Sequence, residues 1–92
     1  MEKLEKLELM DKILRELEDV KNSQTSVLKK ISQIEVDNMN LGVALLDKKL
    51  PDLHEEVDGG IGIISTLLED FKEHRDKFYT DNKLGALEDP TA

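Results

Sequence analysis

From Met10 to Leu45, side chains recur at alternating spacings of three and four: Met10, Ile13, Leu17, Val20, Gln24, Val27, Ile31, Ile34, Asn38, Leu41 and Leu45. In heptad notation Met10, Leu17, Gln24, Ile31, Asn38 and Leu45 take a, and Ile13, Val20, Val27, Ile34 and Leu41 take d. A seam sustained over five heptads predicts a coiled-coil-forming helix rather than an ordinary amphipathic one. Nothing between Glu2 and Lys49 breaks a helix strongly, and Gly42 is only a local weakness of about 1 kcal/mol relative to Ala. The spacing therefore predicts one long helix over residues 1–50 that serves oligomerisation.

The seam's flanks bear on orientation and number. In a parallel in-register pair each g residue faces the e residue five positions later on the partner. Those pairs are Leu9 with Leu14, Glu16 with Lys21, Ser23 with Leu28, and Lys30 with Glu35. None repels, so a parallel pair is mildly favoured. β-Branched d residues, together with Leu7, Leu14 and Leu28 at e, point to more than two helices, whereas Asn38 at a points to two. The expectation is a bundle of more than two helices, with dimer, trimer and tetramer left open.

A second seam runs through Val36, Met39, Val43, Leu46, Leu50, Leu53, Val57, Gly60, Ile64, Leu67, Phe71, His74 and Phe78. Its overlap with the first seam predicts that the stretch from Val36 to Leu46 is apolar on two faces and buried on both. Pro51 has no N–H and clashes with the preceding turn, so the first helix is expected to stop near Lys48 to Leu50. Asp52 and Glu55 resemble a capping box, and "DGGIG" (58–62) supplies three glycines suited to a turn. Residues 51–62 are thus expected to be a Pro/Gly joint with a short helical turn. Residues 63–80 read as an acidic amphipathic helix packing near Val36 to Leu46, and residues 81–92 as a flexible tail. The fold class is all-α.

The 92 residues carry a net charge of −8, and it is unevenly placed. Residues 1–50 hold nine Lys/Arg against ten Asp/Glu, and residues 51–92 hold four against eleven. An acidic half-chain disfavours direct contact with a nucleic-acid backbone. It suits a soluble surface or a basic protein partner, with Glu69, Asp70, Glu73 and Asp76 as the candidate partner surface. The opening "MEKLEKLELM" lacks the apolar core of a signal peptide, and no apolar run approaches the ~20 residues of a membrane span. Cysteine is absent, which fits a reducing compartment. A cytoplasmic protein that makes no membrane contact is expected.

Chemistry-bearing patterns are sparse. His54 with Asp58, and Asp70 with His74, are one helical turn apart, but neither pair sits in a metal motif. Protonation of His74 within an oligomer would make assembly sensitive to pH. "DGGIG" is flanked by Glu55, Glu56 and Asp58 with no Lys before Lys72, which argues against phosphate binding. No nucleophile elbow or paired acid–base motif occurs. Catalytic, cofactor and metal residues are therefore all assigned as none, and the chain is expected not to be an enzyme.

The run "LMDKILRELEDVKNSQTSVLKKISQIE" (9–35), with its "KILREL" opening, glutamine-containing core and Lys/Glu-rich flanks, resembles short coiled-coil proteins of low-GC Gram-positive bacteria and their phages. The resemblance covers about a third of the chain. It implies an oligomerising helix and a mobile-element origin, and carries over no functional residue. The expected function is a non-enzymatic, oligomerising interaction protein: an adaptor, scaffold or chaperone-like binder acting through coiled-coil assembly and an acidic C-terminal surface. Its partners would be itself and another, basic protein. The alternative is a small acidic, phage-encoded inhibitor that blocks a basic nucleic-acid-binding site of a host enzyme.

Overall fold

A computed structural model describes residues 2–85 as two long α-helices joined by a two-residue turn. Helix α1 spans Lys3–Leu41 and helix α2 spans Ala44–Asp81, with no strand among the described residues. They lie antiparallel as a hairpin with extents of 66 × 21 × 18 Å. Three cross-helix contacts fix the register: Asp11 with Arg75, Glu35 with His54, and Asn38 with Asp47. Neither helix is long and apolar enough to cross a membrane.

The break falls at Gly42 and Val43, not at Pro51. Gly42 adopts the left-handed conformation (φ 73°, ψ 32°), and its N–H donates to Asn38 O at 2.7 Å. That conformation is open to glycine at little steric cost and ends many helices. Val43 is extended and begins α2, its carbonyl accepting from the N–H groups of Leu46 and Asp47. Asn38 ties the two ends together. Its Oδ1 accepts from Val43 N at 3.0 Å, while its Nδ2 donates to Val43 O at 3.2 Å and to Asp47 Oδ1 at 2.7 Å. The residue expected to specify oligomer number instead anchors a turn.

Pro51 is the eighth residue of α2, and the helix continues through it and through Gly59, Gly60 and Gly62. The expected joint at residues 51–62 and the separate helix over 63–80 are therefore corrected to one helix. Proline removes the N–H that would bond to the Asp47 carbonyl, at a cost of about 3 kcal/mol in a helix interior. The packing seam runs unbroken across it, from buried Leu50 to half-buried Val57, and outweighs that cost. Phe71, Arg75 and Phe78 consequently pack toward the N-terminal part of α1 rather than against Val36 to Leu46.

The turn also separates the two sequence seams. Leu45 lies past it on α2, and Val36 and Met39 lie before it on α1, so neither seam is continuous. Val36, Met39, Leu41, Val43 and Leu45 are exposed, which reverses the expectation of burial on two faces. At the open end, Leu7 and Leu84 are the most completely buried side chains, at 1% and 0% exposure. Asn82 Nδ2 donates to Phe78 O, and Lys83 turns the chain in the left-handed region (φ 53°). Residues 82–85, at the start of the expected flexible tail, thus fold over the open end of the hairpin with Leu84 buried. The remainder of that expected tail, with Leu87, lies outside the described residues.

Candidate functional site: an open apolar face

The geometry of the seam decides which side chains remain available. On α1 the inward positions are a and e: Leu7, Met10, Leu14, Leu17, Lys21, Gln24, Leu28, Ile31, Glu35 and Asn38 are buried or half-buried. On α2 the inward positions of the second seam are likewise a and e: Leu50, His54, Val57, Ile61, Ile64, Leu68, Phe71, Arg75 and Phe78. The e leucines expected to widen an intermolecular stripe are thus taken up within the chain. Glu35, expected opposite Lys30 of a parallel partner, instead meets His54, whose ring N–H donates to Glu35 Oε1 at 2.6 Å.

The d positions are left over. Ile13, Val20, Val27, Ile34 and Leu41 are between 36% and 69% exposed, and Leu53 and Leu67 are also exposed. At about 100° per residue, d lies roughly 80° from the midline of a and e. Because the helices run antiparallel, that rotation brings both d stripes to the same side of the hairpin. The register sets them in five levels: Ile13 with His74, Val20 with Leu67, Val27 with Gly60, Ile34 with Leu53, and Leu41 with Leu46. Midway along, a shallow depression is lined by Gln24 of α1 and by Leu53, Glu56, Val57, Gly60, Ile63 and Ile64 of α2. The proposed interface residues on α1 thus divide into two groups, the a set facing α2 of the same chain and the d set facing outward, while Leu45 lies on α2 and is exposed.

The opposite side of the seam is polar. Arg75 Nε donates to Asp11 Oδ1 at 2.7 Å and its Nη2 to Asp11 Oδ2 at 3.3 Å, a two-point ion pair across the hairpin. A further bond runs from Nη1 to Asp76 Oδ1 at 3.3 Å, and the guanidinium stacks 5.1 Å from the Tyr79 ring centre. The hydrogen bond to Asp11 raises the Arg75 pKa above its ordinary value, against the opposing effect of burial. Leu14, Leu68, Glu18 and Glu69 complete a shallow pocket around this group. Asp11 and Arg75 are matched to each other inside the chain and lock the register, whereas Glu18, Glu69 and Lys72 on the rim have no hydrogen-bond or ion-pair partner among the described residues.

The four candidate acidic residues are all exposed but do not converge. Glu69 and Asp76 border the Arg75 pocket together with Lys72, so that rim is of mixed charge. Asp70 lies near Gly59, Gly62 and Ile63, on another side of α2. Glu73 has no hydrogen-bond or ion-pair partner among the described residues. His54 is held by Glu35 of α1, and exposed His74 stacks on Phe71 at 6.2 Å between ring centres. No group of three or more potential metal ligands occurs among the described residues. Comparison with protein families, curated proteins and solved structures finds no match to this chain.

Proposed function

We propose that the protein is a non-enzymatic assembly module: a helical hairpin that associates through its open d face and presents acidic helix surfaces to a further, basic protein partner. One observation carries this. Among the described residues only Leu7, Ile31, Leu50 and Leu84 are buried apolar side chains, while thirteen large apolar ones are exposed. Ordering a chain costs about 1–2 kcal/mol per residue of backbone entropy, and so small a core offsets little of it. Burying the d face against another surface supplies the missing apolar area at about 25 cal/mol per Å². Assembly and folding are then coupled, as in obligate oligomers.

Sedimentation equilibrium of the full chain tests this. A mass above that of one chain is expected, and Val20→Glu with Ile34→Glu should reduce it to one chain. Neutralising Glu69, Asp70, Glu73 and Asp76 together should leave the mass unchanged while weakening salt-dependent capture of a basic partner. A wild-type monomer at all concentrations would exclude assembly. The acidic-inhibitor alternative needs a single convergent anionic surface, and the dispersal of the four carboxylates does not favour it.

A further inference from the structure

We propose that the occupant of the open face is the same face of a second copy, with the twofold axis running along the hairpin. Each α1 then lies antiparallel on the partner's α2 in a four-helix bundle. This rests on the assembly function proposed above and names its partner and geometry.

The first argument is shape. On each helix the midline of a and d lies about 50° from the direction of the intrachain neighbour, so the a and d positions of both helices point toward a common centre, which is the layout of a four-helix core. The hairpin already supplies half of it. Five d levels spaced by heptads on both helices let a second hairpin meet the first level for level. Gly60 occupies the middle level, and a Cβ built on it meets nothing within 4 Å in the hairpin. The isolated chain therefore has no steric need of glycine there. A helix packed over it does, since Val27 of the second copy would fill the depression beside Gly60.

Charge distinguishes the possible packings. The g positions flank this interface: Leu9, Glu16, Ser23, Lys30 and Asp37 on α1, and Lys49, Glu56, Ile63, Asp70 and Lys77 on α2. With the axis along the hairpin, Lys30 meets Glu56 of the second copy and Asp37 meets Lys49 of the second copy. Both attractions occur twice. Ser23 faces Ile63 of the second copy, Leu9 faces Lys77, and only Glu16 with Asp70 repels. Glu16 is 3.8 Å from Lys12, which softens that repulsion. With the axis across the hairpin, α1 lies on α1 and α2 on α2. The central register then pairs Glu16 with Asp37 and Lys49 with Asp70, so the attraction is cancelled, and a heptad shift either way adds repulsion. Lys30, Lys49 and Glu56 have no ion-pair partner among the described residues, so they are available.

The chain lacks cysteine, so engineered thiols report directly. Ser23→Cys and Ile63→Cys are made in separate chains, mixed, equilibrated and oxidised, alongside the wild-type mass. The expected result is a dimer mass and a disulfide-linked mixed dimer, with little cross-linking of either variant alone. Lys30→Glu should raise the dimer dissociation constant roughly tenfold by turning two attractions into repulsions, and adding Glu56→Lys should restore it. A dimer in which each variant links to itself, or in which the charge exchange gives no rescue, overturns this packing but leaves assembly standing. A monomer mass overturns both, and a trimer or tetramer overturns the packing. The charge variants lie outside the hairpin seam, and because assembly and folding are coupled, the rescue by Glu56→Lys is what separates a lost contact between copies from a defect within the chain.

Discussion

Asn38 is the only buried polar side chain among the described residues, and all of its hydrogen-bonding is directed at the turn. Removing it takes three hydrogen bonds from the turn, although its partners Val43 and Asp47 are exposed and can turn to water. Asn38→Ala is therefore expected to destabilise the fold by about 2 kcal/mol, since each net intramolecular hydrogen bond is worth about 0.5–1.5 kcal/mol. Urea denaturation would measure this, and a change below about 0.5 kcal/mol would show that the turn does not depend on Asn38. Lys83 presents the opposite case. It holds a left-handed conformation that costs a non-glycine residue about 1–2 kcal/mol, so Lys83→Gly should raise stability by about 1 kcal/mol. Thermal melting would register a rise of several degrees, and a fall would mean that the lysine side chain contributes to the closure. Asn38 was visible in the sequence as a polar a position, but its role was not. A buried asparagine in a heptad fits a partner helix and a tight turn equally well, and only Gly42 four residues later separates the two.

At the scale of the helices, heptad periodicity made two amphipathic segments and an all-α chain legible. The boundary between them was not. Pro51 and three glycines between 59 and 62 look locally like a joint, and Gly42 looks like a minor flaw in a long helix. Tertiary packing reversed that ranking, because a seam of a and e side chains keeps α2 continuous across its breakers while the left-handed Gly42 is supported by Asn38. The breakers therefore sit in α2 as unrelieved costs. Pro51, Gly59 and Gly62 are exposed, and a Cβ at either glycine meets nothing within 4 Å. Pro51→Ala should stabilise the protein by up to about 3 kcal/mol, and Gly59→Ala and Gly62→Ala by about 0.5–1 kcal/mol each. Chemical denaturation of the single variants checks each value. Loss of stability in Pro51→Ala would indicate that α2 needs a break near residue 51. The two seams raised a second ambiguity, since a three–four repeat does not say which flank meets the first neighbour. Here a and e take the intrachain contact and d is left open.

For the whole molecule, the antiparallel hairpin determines everything proposed about assembly. It sets Asp11 beside Arg75, brings both d stripes to one side, and disperses the C-terminal carboxylates over several sides of α2. Composition gave the acidity of the second half but not its placement, which depends on where the chain turns. A direct measurement of the fold-back is the distance between spin labels at Arg15→Cys and Lys72→Cys, both exposed, with labelled chains diluted in unlabelled ones. A hairpin turning at Gly42–Val43 places these sites level on adjacent helices, so a label separation of about 25 Å is expected from an interaxial spacing of about 8–10 Å plus the label arms. A fold-back at residues 51–62 would separate them by about 40 Å and a straight rod by about 85 Å at 1.5 Å per residue. A dominant distance near 25 Å supports the hairpin, and one of about 40 Å or more contradicts it.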